Sequence, residues 1–156
     1  MSNKNQRRSL IPKNAAALPK KKHYLNTDPA FLEGWQREGN SAVVLVSIKL
    51  LQSDYQCFSD WSKQEMRVFW AFNDKIHQHT WQQVLETASK QLGRKTGLGY
   101  TPLPAKLYPN SPFKASLDPQ TVFFEVRVNE GMRVHGFRER SLFYICWLDR
   151  NHEICP

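Results

Sequence analysis

The chain has 156 residues, 40% of them hydrophobic and 12% aromatic, enough apolar side chain for one domain with a real core. Mean hydropathy is -0.59 and no apolar run approaches the ~18 residues of a membrane span, so a membrane protein is not expected. The formal charge of +8 is concentrated at one end: Lys4, Arg7, Arg8, Lys13, Lys20, Lys21 and Lys22 lie in residues 1–26 without one acid, while residues 27–156 hold 15 Lys and Arg against 14 Asp and Glu.

Residues 1–26 lack a sustained apolar period and are interrupted by Pro12 and Pro19, which predicts a flexible basic tail. Such an arm attracts nucleic acid or an acidic partner, and it equally suits a disordered solubilising segment. It has no continuous apolar stretch behind it, so no cleaved signal peptide is expected. Residues 27–156 are read as a single α+β domain. Asp28 and Pro29 suit the N-cap and first position of a short helix, with Gly34 and Gly39 bracketing Trp35. Phe31, Leu32 and Trp35 are expected to dock on the domain.

Ala42–Leu51, AVVLVSIKLL, predicts a strand buried on both sides, with Lys49 marking an end that reaches solvent. Two helices follow. Ser62 and Glu65 fit a capping box ahead of Met66, Phe69, Phe72 or Asn73, and Ile76 at helical spacing. Thr80 and Gln83 fit a second box, ahead of Trp81, Val84, Leu85, Ala88 and Leu92, with Gly93 as the stop. Residues 96–120 contain Pro102, Pro104, Pro109, Pro112 and Pro119 and predict a long irregular insertion with one short strand near Leu98–Leu103. Loops of that length are often functional or wrap a sheet edge.

Thr121–Glu153 carries the strongest strand signal and reads as a three-stranded antiparallel meander. With Asn129-Glu130-Gly131 as the first loop and Gly131 in the left-handed position, Arg127 faces Arg133, Glu125 faces His135 and Phe123 faces Phe137. With Glu139-Arg140 as the second loop, Gly136 faces Phe143, His135 faces Tyr144, Val134 faces Ile145 and Arg133 faces Cys146. Alternation then sorts Phe124, Val126, Val128, Met132, Val134, Phe143, Ile145 and Trp147 onto one face. Glu125, Arg127, Arg133, His135, Tyr144 and Cys146 fall on the other.

That polar face sets two guanidinium groups beside a carboxylate, an imidazole and a phenol. Opposed arginines invite an anion between them, and a neighbouring Glu or His can move a proton, which suits phosphodiester cleavage. A solvated face, with Glu125 neutralising Arg127 and Arg133 in weak pairs, uses the same residues. Asp149-Arg150-Asn151-His152 ends the last strand; His152 either reaches this site or sits at the surface of a turn begun by Asp149. Cys57, Cys146 and Cys155 are odd in number without C-x-x-C spacing, so free thiols in a reducing, cytoplasmic compartment are expected. Cys146, His152 and Cys155 lack zinc-ligand spacing and a fourth partner, and nothing marks a nucleophilic cysteine.

Strand, helix, helix and C-terminal meander, with FFEVRV, MRVHGF and SLFYICWLD in sequence, resembles the RelE/ParE toxin superfamily over roughly residues 41–156. The resemblance implies an α+β fold with helices packed on one face of the sheet. It also implies a toxin-like endoribonuclease of a toxin–antitoxin system, working by metal-independent acid/base catalysis without a cofactor. Arg127 and Arg133 would hold phosphate, and His152 with Tyr144 or His135 would transfer the proton. Glu125 is supported by register alone. RNA, in some members ribosome-associated mRNA, and an antitoxin protein would be the partners. The basic tail, the docking helix and the 96–120 insertion make this chain longer than the compact members, and its body is nearly neutral where many of them are basic. Two other readings stand beside this one: a non-catalytic nucleic-acid-binding module using the basic arm, and a protein-interaction module using the Pro-rich segment and Trp35. The arm reading predicts that deleting residues 1–26 abolishes RNA binding in filter assays between about 50 and 200 mM salt, while Arg127→Ala leaves it intact.

Overall fold

The computed structural model describes residues 39–87 and 97–156. The basic tail, the Asp28-Pro29 helix start, Phe31, Leu32, Trp35, and the Ala88, Leu92 and Gly93 end of the second helix lie outside the described residues. Among the described residues five strands form one mixed sheet: β1 (Leu45–Ser47), β2 (Thr101–Leu103), β3 (Phe123–Arg127), β4 (Arg133–Glu139) and β5 (Leu142–Asp149), in the order β1-β5-β4-β3-β2. The β1–β5 pair is parallel and the others are antiparallel. The fold is α+β, as the sequence indicates.

Both capping boxes form. In α1 (Lys63–Ile76) the Ser62 hydroxyl accepts from the Glu65 amide, and the Glu65 carboxylate accepts from the Ser62 amide. In α2 (Trp81–Glu86) Thr80 and Gln83 exchange the same pair of bonds. Each box satisfies two amides that the first helical turn leaves without partners. Phe69, Phe72, Ile76, Trp81 and Val84 then bury one helix stripe against Phe124, Val126, Met132, Val134, Phe143, Ile145 and Leu148 of the sheet. Trp81 meets Phe124 edge-on at 5.9 Å. Each such side chain contributes about 1.5–3 kcal/mol by leaving water.

The strand expected at Ala42–Leu51 is corrected to three residues at a sheet edge. Ala42 and Val44 are buried, but Val43 is 46% and Ile48 53% exposed, the alternation of a strand covered on one side. Its inner edge pairs with β5. On its outer side the Val46 amide donates to His77 Nε2 at 3.1 Å and the Val44 amide to the His79 carbonyl. The apolar run therefore serves to tie the α1–α2 connection to the sheet.

Of the 96–120 insertion, the described residues 97–120 are more ordered than an irregular loop. After the short strand β2, which carries Pro102, a 3₁₀ turn at Ala105–Leu107 leads to α3 (Pro112–Ser116), started by Ser111. Lys114 Nζ donates to the carbonyls of Ala105 and Tyr108 and to Asn110 Oδ1, which ties the segment to itself. Tyr108, Phe113 and Leu117 lie across the second sheet face, packing with Phe123, Cys146, Trp147 and Ile154. Tyr108 stacks on Trp147 at 4.8 Å.

The first hairpin has the expected register: Arg127 opposite Arg133, Glu125 opposite His135, Phe123 opposite Phe137. Its loop is closed differently. Gly131 is not in the left-handed region; instead Asn129 Oδ1 accepts from the Gly131 and Met132 amides. The second hairpin turns at Arg140-Ser141, with Arg140 at φ 55°, so Gly136 faces Ile145 and Phe137 faces Tyr144. The register then slips once more between His135 and Gly136, placing Trp147 opposite His135 and Asp149 opposite Arg133. One extra residue on β5, a β-bulge, reverses the faces beyond it. Trp147 joins the second face and Leu148 takes the helix-side position expected of Trp147.

Gly136 permits this bulge. A Cβ built there falls 1.8 Å from the Tyr144 carbonyl oxygen, a backbone atom that cannot step aside. Gly136→Ala is expected to destabilise the fold by about 3 kcal/mol or more, read as a lower urea midpoint with an unchanged slope. An unchanged midpoint would show that β5 adopts another register.

Candidate active site

Successive same-face positions on β3 present Glu125 and Arg127, and β4 sets His135 and Arg133 opposite them. The bulge brings Asp149 onto this face, and the turn after β5 carries His152 towards it. Glu125 Oε2 lies 3.6 Å from His152 Nε2 and 3.9 Å from His135 Nε2, and Glu125 Oε1 lies 4.0 Å from Arg133 Nε. The structure thus brings together five of the six residues singled out from sequence. Tyr144 is not among them: it pairs with Phe137, stacks on that ring at 5.3 Å, and lines a separate groove of about 970 Å³ with Arg138, Glu139 and Val122. The one-residue shift of the turn alone moved it away from His135, since the bulge lies farther along β5, between Ile145 and Trp147.

This face is covered. Glu125 and Arg133 are 8% and 7% exposed, and His135 and Asp149 are fully buried. His135 has both ring nitrogens engaged, Nδ1 with the Tyr108 hydroxyl at 3.2 Å and Nε2 with Asp149 Oδ2 at 3.3 Å. Burial, with the Glu125 charge adding to it, raises the Tyr108 phenol above its ordinary range, so it keeps its proton and donates to Nδ1. Asp149 is ionised: burial opposes its charge, but hydrogen bonds from His135 and from the Glu153 and Ile154 amides outweigh that and lower its pKa. The proton on His135 therefore sits at Nε2, facing Asp149. His135 is a bonded core imidazole rather than one open to a ligand.

Arg133 is also committed. Its Nη1 donates to the carbonyls of Asn129, Glu130 and Met132, folding the guanidinium over the hairpin loop. Burial lowers its pKa, the Glu125 charge raises it and the Arg127 charge lowers it. Arg127 is less enclosed. Its amide donates to the Leu98 carbonyl, and Gly99, at φ +56°, lies beside its side chain.

Among the described residues, three buried side-chain polar atoms have no hydrogen-bond partner: Glu125 Oε2, Arg127 Nε and His152 Nε2. An acceptor, a donor and an atom able to play either part thus lie uncommitted on one side of the sheet, and buried polar atoms in that state are rare. His152 is held there with its backbone in the left-handed region at φ 56°, which few non-glycine residues occupy. Its surroundings are specific. Gln56 Oε1 accepts from the Arg150 amide, Gln56 Nε2 donates to Glu153, and Arg150 forms a two-pronged pair with Glu65 at 2.9 and 3.1 Å.

Cys146 is buried, and its thiol is pushed up to about 12, so it is not a nucleophile at neutral pH. Among the described residues no group of three or more His, Cys, Asp or Glu side chains is placed to hold a metal ion, and no helix is long and apolar enough to cross a membrane. Sequence reasoning passed over Tyr108 and Asp149. Asp149 was legible only as a turn residue, and Tyr108 lies in a Pro-rich stretch that carries no local sign of its partner.

No protein-family model, curated protein or solved structure matches the chain.

The Glu65–Arg150 pair gives the site a pH signature. Hydrogen bonds from Arg150 and the Ser62 amide hold the Glu65 carboxyl at about 2, below its usual 4.5. A folded pKa below the unfolded one stabilises fully above about pH 4.5, and that stability is lost as pH falls towards 2. In melts from pH 7 to 2, wild type is expected to exceed Glu65→Gln in Tm at pH 6, with the gap closing below pH 4.5. A constant gap would show that the pair contributes no pH-linked stability.

Proposed function

We propose that the chain is a toxin-like endoribonuclease of the RelE/ParE kind, cutting a phosphodiester with Glu125, Arg127 and His152 and restrained in the cell by a protein partner. The observation that carries this reading is the set of uncommitted polar atoms on those three side chains. Arg127 Nε donates to a non-bridging phosphate oxygen and offsets the charge of the transition state. Glu125 Oε2 takes the proton of the attacking hydroxyl. His152, 3.6 Å from that oxygen, receives the proton and delivers it to the departing oxygen, so the proton count closes without another reactant. Arg133 supplies positive charge from behind and holds Glu125 in place. The neighbouring His135 is given no role in the proton transfer, since both of its nitrogens are engaged in hydrogen bonds.

The cover over the second sheet face favours a competing reading. Tyr108, Phe113 and Leu117 close over part of the polar face, which suits an interaction module with no chemistry. RNA cleavage separates the two. In a cell-free translation reaction, the endoribonuclease reading predicts new RNA 5′ ends, undiminished by a chelator. Arg127→Ala and His152→Ala should each slow cleavage on the order of 100-fold or more. Intact RNA, or variants as active as wild type, would leave the interaction reading standing.

A further inference from the structure

We infer that Asp149 is the positioning residue of this site, acting on the chemistry only through His152. The inference rests on the endoribonuclease reading for its kinetic consequence and on geometry for its placement. Asp149 is fully buried, and its carboxylate is the meeting point of three chain segments. Oδ1 accepts from the Glu153 amide at 2.8 Å, and Oδ2 from the Ile154 amide at 2.9 Å. Oδ2 also faces His135 Nε2 at 3.3 Å, and the other nitrogen of that ring meets the Tyr108 hydroxyl. The first two bonds close the turn that begins at Arg150 and contains His152. The third fixes the carboxylate to the centre of the sheet.

His152 therefore owes its place beside Glu125 to a rigid anchor three residues back. Turns with a non-glycine residue in the left-handed region open readily unless held, and the two amide bonds to Asp149 hold this one from inside. The Tyr108–His135–Asp149 chain also links the Ala105–Ser116 cover to the same turn, so the cover and the site share one anchor. Asp149 itself has no path to a reacting phosphate, being enclosed by His135, the turn amides and the core. Its role is geometric.

Asparagine at this position keeps the volume but replaces one acceptor with a donor, which faces an amide that also donates. Asp149→Asn is expected to reduce kcat for RNA cleavage on the order of 100-fold with KM little changed, as for a displacement of about 1 Å in a reacting group. The decisive measurement is the double-mutant cycle: in a His152→Ala background the same substitution should cost less than about twofold. If the two losses multiply instead, Asp149 acts on the fold generally and the inference is overturned. Should Asp149→Asn fail to fold, amide exchange in wild type decides. Glu153 and Ile154 amides as protected as those of β5 uphold the anchor, and rapid exchange refutes it. Should wild type cleave no RNA, the function fails separately. The His152 Cε1–Hε1 resonance must then still move on Asp149→Asn, and an unmoved signal refutes the placement.

Discussion

The contact between the Tyr144 carbonyl and the bare Cα of Gly136 is the constraint on which the candidate site depends. It lets β5 carry one residue more than β4 can match, and everything beyond it in β5 changes face. Without that extra residue Trp147 would enter the helix-side core, Leu148 would face the cover, and Asp149 would not meet His135. A single missing methyl group therefore decides which carboxylate lies at the centre of the second face.

The arrangement is also an electrostatic solution. Burying a lone carboxylate in an apolar interior is costly, and pairing alone seldom recovers the cost. Asp149 stays charged because three hydrogen bonds converge on it, two from backbone amides that the turn would otherwise leave unsatisfied. Glu125 is placed differently. The nearest nitrogens of His152, His135 and Arg133 stand at 3.6 to 4.0 Å, outside hydrogen-bonding distance. One carboxylate is finished as a structural element, whereas the other retains capacity for a ligand.

How much of this was legible follows from the range of each signal. The capping boxes at Ser62 and Thr80 span three residues each and were read correctly. The first hairpin was read correctly in register because alternation on both sides of a short loop leaves one pairing that keeps the faces apart. Even there Gly131 misled, since an Asn129 side chain performed the closure assigned to its backbone. The second hairpin failed because Arg140-Ser141 has no turn signature and a bulge has no local mark; Gly136 alone hinted at it. Val43 and Ile48 look like core in an apolar run, but exposure on an edge strand depends on distant partners. Tyr108 was beyond reach for the same reason: only the closed fold shows that a residue in a Pro-rich loop touches His135. The order strand, helix, helix, meander survived all these errors because face segregation constrains topology more strongly than register.

The two borders of the sheet have a consequence for recognition. On the outer side of β1 the Val46 amide is engaged by the His77 ring, and on the other border β2 contains Pro102, which has no amide hydrogen to offer. A ligand protein that extends the sheet by laying down its own strand would first have to displace the imidazole or accommodate the proline. Recognition of this domain is thereby directed to its side-chain surfaces and its loops, and the same blunted borders guard it against edge-to-edge self-association.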